Sequence, residues 1–387
     1  MDFTEGSLTV MTKPVSLNVL ELSQRLVAFD TINPPGNESE CAEYLCAVLE
    51  KAGLQVKLAP FGDGRFNILA SAGSSSEKPP LCFTGHIDTV PLGNGSWSMD
   101  PFAGQIENGR MYGRGTSDMK CGVAAFIVAI VELIGHLKSG SGVRLIITGG
   151  EETGCEGALH LVKNGMIKKG GALIVAEPTA NMPLAGHKGA LWLRAITSGI
   201  TAHGSMPELG DNAIYKAAKG ISKLETYNFD GALHPHMGCG TVNVGTVKGG
   251  LNLNSVPDLA EFGVDIRTIP GMAHSDVLKK MALYLGKDID LKPIVDVEAV
   301  WTDPQNEWFR RISEIAADVT GVQSAGGAAS FFTDASVLIE ELGGVPAVIL
   351  GPGEPKMAHQ TDEYCELFRM DEAIEIYRRA IADWCEL

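Results

Sequence analysis

Apolar residues in the first half of the chain follow two spacings. At intervals of three and four they mark helices over Asn18 to Phe29 and Glu38 to Ala52, where one face is greasy and the other charged. Short unbroken apolar runs at Leu81 to Thr84, Val143 to Thr148 and Ala172 to Ala176 predict strands buried on both faces. The stretch Gly122 to Leu137 is apolar nearly all round, which predicts a helix enclosed on most sides. Helices alternating with buried strands give an α/β fold around a mixed, largely parallel sheet. Chemistry in such sheets collects at the carboxyl ends of the strands. His86, the pair Glu151 and Glu152, and Glu177 each stand just past one of these runs, so three strands deliver polar groups to one edge.

The pattern changes near Lys188. Leu191 to Ser198 alternates as a half-exposed strand, Asn212 to Leu224 reads as a helix, Thr241 to Val247 and Leu259 to Thr268 as strands, and Ser275 to Leu285 as a helix. Two helices covering one face of a small antiparallel sheet form a ferredoxin-like α+β insert. After Trp301 the earlier pattern resumes, with a helix over Glu307 to Thr320, a strand over Ala347 to Leu350 and a terminal helix over Glu372 to Glu386. The predicted organisation is therefore a catalytic domain in two parts, 1–187 and 299–387, interrupted by an insert at 188–298. A length of 387 residues suits two cores better than one.

Composition narrows the function classes. Hydrophobic residues at 45% and charged residues at 20% describe a globular chain. A net charge of −16 argues against nucleic-acid and anionic-membrane partners, which need a basic surface. Eight cysteines without a Cys-x-x-Cys pair, several inside apolar runs, read as reduced thiols of a cytoplasmic protein. The opening Met1 to Glu5 lacks a basic region before an apolar one, so no secretory signal is expected. Gly73 to Pro80 reads as a polar loop, and the longest apolar stretch, Val123 to Ile134, contains Glu132 and is too short to cross a bilayer.

The polar groups at the strand ends are those that bind metal. In Gly85-His86-Ile87-Asp88 the two-residue spacing sets the Asp88 carboxylate beside His86, where it can take the proton of the imidazole nitrogen that faces away from a metal. A glycine-rich approach, Gly113-Arg114-Gly115-Thr116-Ser117, leads to Asp118 just before the buried helix. Glu151-Glu152, Glu177-Pro178 and His359 complete the set. Each has an ordinary structural explanation: Asp118 as a helix cap, Glu151-Glu152 as a solvated turn, Glu177-Pro178 as a strand stop. Four of these five sites stand at strand exits or at a glycine-rich strand-to-helix turn, which favours imidazole and carboxylate ligands for a divalent metal.

These runs, taken with Tyr112-Gly113-Arg114 and Met119-Lys120, resemble the M20 metallopeptidase and amidohydrolase family in the same order along most of the chain. The resemblance implies a zinc-peptidase-like catalytic domain with an inserted lid and dimerisation domain, hence a homodimer. It implies two Zn2+ per chain, replaceable by Co2+ or Mn2+, with Asp118 bridging, His86 and Glu177 on one ion, and Glu152 and His359 on the other. Glu151 then matches the general base, with Asp88 behind His86. Thr201-Ala202-His203-Gly204 resembles the segment whose histidine stabilises the oxyanion from the partner subunit's lid. Asn254 matches an asparagine near the substrate, and Asp265-Ile266-Arg267 an arginine that grips a substrate carboxylate. The implied activity is hydrolysis of a linear amide in an N-acyl amino acid, as in the deacetylase and desuccinylase branch. A dipeptidase or carboxypeptidase is the alternative, and a metal-binding scaffold without chemistry is a third reading that Glu151 argues against. One departure stands out: Ser330-Phe331-Phe332 precedes Thr333-Asp334-Ala335 where relatives carry a Gly-Thr-Asp-Ala-like loop. Two aromatics there favour a larger or more apolar acyl group. His234 and His236 with Cys239 are read as structural or exposed, and His187 as part of a hinge.

Overall fold

The chain folds as three apolar runs dictate. The computed structural model describes residues 16–73, 78–137, 141–229 and 231–387. Residues 1–5 and the middle of the expected 73–80 loop lie outside that range. The principal sheet has the order Gln55–Gly62, Arg65–Ala72, Val143–Thr148, Leu81–His86, Ala172–Val175, Ala347–Ile349. The last four strands run parallel, and an antiparallel hairpin, Gln55–Gly62 with Arg65–Ala72, extends one side. The three runs that end in His86, Glu151-Glu152 and Glu177 are thus adjacent parallel strands. Helix Cys121–Leu133 is buried from Cys121 to Val131 and packs against helix Leu367–Cys385. It stops four residues earlier than its apolar pattern suggests, because Gly135 and His136 follow in a turn. Asn18 caps the first helix, Val19–Val27, by accepting from the amides of Leu20 and Glu21.

A second sheet lies between the two parts of the first. Its order is Thr241–Gly249, Leu259–Thr268, Gly189–Ser198, Asp290–Val297, antiparallel throughout. With helices Ala213–Leu224 and His274–Leu285 the chain order is strand, helix, strand, strand, helix, strand, which is the ferredoxin-like arrangement. Leu193, Phe262, Val264 and Ile266 form its core with Ala217, Leu224 and Met281. The strand Asp290–Val297 escaped the sequence reading because Asp290, Lys292 and Asp296 break up its apolar residues and Pro293 interrupts it. As an edge strand with a bulge between Pro293 and Val295 it tolerates that proline.

Both crossings to this unit pass through one small sheet, in which Gly186–His187 pairs with Val300–Trp301 and with Ala328–Ala329. His234 and His236 pack on the Trp301 ring at 4.5 and 5.0 Å, so their role in the fold is to cover the crossing. On the face away from its helices the second sheet sends Ala190, Val295 and Val297 into an apolar cluster with Cys155, Ala158 and Leu161. The contact is tight at Gly154, whose φ is +111° and whose Cβ, if it had one, would meet Val295 Cγ2 at 2.7 Å. No helix among the described residues is long and apolar enough to cross a membrane, and all eight cysteines are free thiols.

Candidate active site

His86 is the last residue of its strand and almost wholly buried. Its Nε2 lies 3.1 Å from Asp118 Oδ1 and 3.7 Å from Glu177 Oε1. Across the site, His359 Nε2 lies 3.1 Å from Glu152 Oε2 and 3.4 Å from Asp118 Oδ2. One oxygen of Asp118 therefore faces each imidazole. Asp118 does not cap the helix behind it; the cap position belongs to Lys120, and no side chain bonds the helix end. His359 adopts a left-handed φ of 64°, an uncommon conformation for a non-glycine residue. Gly122 lets the buried helix approach the strand end that carries Glu177, since a Cβ there would fall 2.2 Å from the Ala176 carbonyl.

Asp88 acts differently from the expectation. The chain leaves the strand at His86, and the main-chain carbonyl of Asp88 sits 2.9 Å from His86 Nδ1, whereas its carboxylate is 3.6 Å away. The carbonyl accepts the imidazole proton, which leaves Nε2 free to act as a ligand. The Asp88 carboxylate instead accepts from the amides of Glu151 and Glu152, at 3.1 and 3.3 Å, and from Asn33 Nδ2 at 2.9 Å. It holds the Glu-Glu turn in place.

Glu363 has no role in the sequence reading above. It is fully buried and accepts from Arg114 Nη1 (2.6 Å) and from the amides of Gly115 (2.9 Å), Ser117 (2.7 Å) and Asp118 (3.0 Å). It ties the loop of Asp118 to the segment of His359, four residues before it.

Electrostatics describe a site short of positive charge. Burial raises the pKa of Glu151 well above the carboxylate range, and Glu177 and Glu152 add to the rise while His86 opposes it. Burial, with Asp118, does the same to Glu177 and also raises Glu152. Burial works against a charged His86 too, yet the hydrogen bond to Asp118 and the charges of Glu177 and Glu151 lift its pKa well above the imidazole range. Asp118 is held low: hydrogen bonds from His359 and His86 overcome its burial. His359 is pulled up to about 10 by Asp118 and Glu152. Four carboxylates around two imidazoles need protons or cations to offset their charge. The buried oxygens Glu151 Oε1 and Glu152 Oε1 have no hydrogen-bond partner, and the donors in the groups His86, Asp118, Glu152 and His86, Glu151, Glu177 lie within 4.8 Å of one another. Nitrogen and oxygen donors of this kind fit divalent transition metals. A third grouping, His274 with Asp296 and Glu298, differs: both of its ring nitrogens already bond, to Asp296 at 2.6 Å and Thr268 at 2.7 Å, so no lone pair is left for a metal.

Comparison with known proteins agrees with the geometry. The sequence pattern of peptidase family M20/M25/M40 matches residues 82–383. The chain belongs to this family. A probable succinyl-diaminopimelate desuccinylase of Staphylococcus epidermidis is 31% identical, covering 90% of this chain and 94% of its own. An acetylornithine deacetylase of Proteus mirabilis is 29% identical, covering 95% and 96%. Among solved structures, an M20 family metallo-carboxypeptidase from Sulfolobus solfataricus shares the fold with a TM-score of 0.79 at 21% identity, covering 95% of this chain and 99% of that one. This M20 chain is a hydrolase with the α/β fold of its family.

The remaining expected residues of the M20 chain lie on the inserted unit. His203 and Asn254 are neighbours there, because His203 bridges Ser255 and the Gly204 amide bonds the Asn254 carbonyl at 2.7 Å. His203 is exposed. Its Nδ1 lies 2.7 Å from Ser205 Oγ and 3.2 Å from the Ser205 amide; when Nδ1 accepts from both, the proton sits on Nε2 and that nitrogen is a donor. Arg267 is not bare: Asp265, two residues away on the same strand face, lies 2.9 Å from its Nε and 3.2 Å from its Nη2. That pairing uses one edge of the guanidinium and leaves the outer edge for a second carboxylate.

Proposed function

We propose that the protein is a zinc-dependent amidohydrolase that cleaves an N-acyl amino acid of the deacetylase or desuccinylase type. The observation that carries the reading is the convergence of His86, Asp118, Glu152, Glu177 and His359, with Glu151 buried beside them and one of its oxygens unpartnered. Asp118 would lie between two Zn2+, with His86 and Glu177 on one and Glu152 and His359 on the other; Co2+ or Mn2+ would serve as substitutes. Bound metal polarises a scissile carbonyl and makes water a nucleophile at neutral pH. Glu151 takes the proton from the attacking water and delivers it to the departing amine, a task suited to a carboxylate whose pKa burial has raised. Arg267 receives the substrate carboxylate on its outer edge. Asn254 lines the substrate, and His203, as an Nε2–H donor, stabilises the oxyanion in the partner subunit's site.

The same reading makes 188–298 a lid and dimerisation domain. Leu251 and Leu253 are fully exposed, Leu209, Ile200 and Tyr215 largely so, and strand Thr241–Gly249 is the edge of its sheet. An apolar patch beside an open edge suits a second copy of the chain. Free thiols fit a cytoplasmic setting. The test is a hydrolysis panel of N-acetyl, N-succinyl and N-formyl amino acids with a set of dipeptides, run beside elemental analysis. Cleavage of an acyl series with close to two metals per chain is expected. Full activity without metal refutes the mechanism, and cleavage of dipeptides alone makes the protein a dipeptidase or carboxypeptidase.

A further inference from the structure

We propose that Phe332, together with Trp192, is a specificity-determining wall beside Arg267 that selects the side chain of the residue carrying the substrate's free carboxylate, favouring apolar and aromatic side chains. The inference rests on the reading of Arg267 above and goes further, because it assigns the two aromatics to one side of the scissile amide.

Trp192 and Phe332 come from different parts of the fold. Trp192 stands on the inserted sheet, opposite Asp265 on one neighbouring strand and Val295 on the other. Phe332 belongs to the segment that follows strand Ala328–Ala329 in the catalytic part. Their rings meet edge to face, with centroids 5.9 Å apart and planes at 77°. The Arg267 guanidinium carbon lies 5.9 Å from each ring centroid, and Trp192 Nε1 donates to Asp265 Oδ1 at 3.0 Å. Arg267 is thus fixed by one carboxylate and two rings.

The cluster reaches the catalytic turn from two directions. Val295, paired with Trp192, is seated against Gly154, three residues after Glu151. Phe332 is two residues before Asp334, whose carboxylate accepts from Thr148 Oγ1 at 2.5 Å, and Thr148 ends the strand that leads to Glu151. A carboxylate on Arg267 therefore lies against these rings with its amide toward Glu151. In an N-acyl amino acid the side chain branches from the carbon that bears the carboxylate, while the acyl group lies beyond the amide nitrogen. The rings face the side chain. The proposal gives Phe332 to the side chain, where the sequence expectation had Phe331 and Phe332 serving the acyl group.

The experiment compares kcat/KM of the wild type, Phe332→Ala, Phe332→Leu and Phe332→Tyr on N-acetyl derivatives of alanine, leucine and phenylalanine, and on acetyl and succinyl forms of one amino acid. Phe332→Ala should lower the phenylalanine-to-alanine ratio about ten-fold and leave the acetyl-to-succinyl ratio within about two-fold, with Phe332→Tyr keeping the wild-type ratio. A loss equal across side chains, or one that follows the acyl group, overturns the proposal. Metal content and melting temperature are measured alongside; if Phe332→Ala does not fold, the Leu variant carries the same comparison. If the wild type cleaves dipeptides and no N-acyl amino acid, the deacylase reading falls, and the same ratio taken on the carboxyl-terminal residue of the dipeptides still decides the role of Phe332.

Discussion

His187 makes the crossing between the two units sensitive to pH in a calculable way. The ring is fully buried, with Nδ1 2.9 Å from the Lys188 carbonyl and Nε2 3.1 Å from Thr333 Oγ1. Nδ1–H donates to the carbonyl and Nε2 accepts from the hydroxyl, so the neutral ring satisfies both partners and a second proton would face a donor. Burial, only partly offset by that carbonyl, lowers its pKa from 6.5 to about 4. The unfolded chain therefore binds a proton before the folded one does. Stability contributed by His187 is intact above the unfolded value and is lost as pH falls, with the loss complete below the folded value. Between pH 7 and pH 5 the wild type should lose about 2 kcal/mol relative to a His187→Gln chain, approaching about 3 kcal/mol in more acid solution. Urea unfolding of both chains across this range, each freed of metal, measures the gap. A gap that stays constant with pH, or that widens in favour of the wild type as pH falls, refutes the burial argument.

The adjacent glutamates should separate cleanly: Glu151→Gln is expected to cut turnover by about 10²–10⁴-fold with near-normal metal content, whereas Glu152→Gln depletes metal. Elemental analysis with kcat on the two variants checks this, and the reverse pattern would exchange their roles. Arg267→Lys should weaken carboxylate-bearing substrates far more than their amidated analogues, because Lys keeps the charge and loses the planar fork; equal losses in KM would remove Arg267 from that role. Inactive Glu151→Gln and inactive His203→Ala chains, once differently tagged subunits are shown to exchange, should regain about a quarter of wild-type activity in random two-fold mixtures if His203 acts in the partner's site. Silence after proven exchange would place His203 in its own chain's site or outside catalysis.

Three positions of the candidate metal-binding cluster were legible because they stand at strand exits, and strand exits are marked by apolar runs. His86 closes Leu81–His86, Glu151-Glu152 follows Val143–Thr148, and Glu177 follows Ala172–Val175. The four parallel strands of the principal sheet were legible for the same reason. What escaped has a physical cause in each case. Helix Leu367–Cys385 begins five residues before its expected start because Phe368 and Arg369 break the apolar spacing there. The hairpin Gln55–Gly62 with Arg65–Ala72 carries half-exposed residues, so no unbroken run announces it. The bond of Asp88 was misjudged because the two-residue rule holds only inside a strand, and the strand ends at His86. The pairing of Arg267 with Asp265 was available from the sequence by that same rule, since both lie within Leu259–Thr268.

Asp88 and Glu363 show how the site keeps its geometry. Neither carboxylate points at the space between the two imidazoles. Each accepts main-chain amides of a ligand-bearing loop: Asp88 those of Glu151 and Glu152, Glu363 those of Gly115, Ser117 and Asp118. Loop amides at a strand exit have lost their sheet partners, and in a buried site water cannot replace them. A carboxylate with several acceptor positions satisfies them and fixes the loop in one step. The cost is more negative charge in a region already crowded with it, visible in the burial-driven rise of Glu363 to about 7 against the pull of Arg114. Arg114, nearly as buried as Glu363 and 2.6 Å from it, offsets that charge where the supporting carboxylate stands. Among the described residues no arginine or lysine is the leading counter-charge of Glu151, Glu152 or Glu177, and the positive charge that offsets them comes from His86, His359 and whatever cation the site binds.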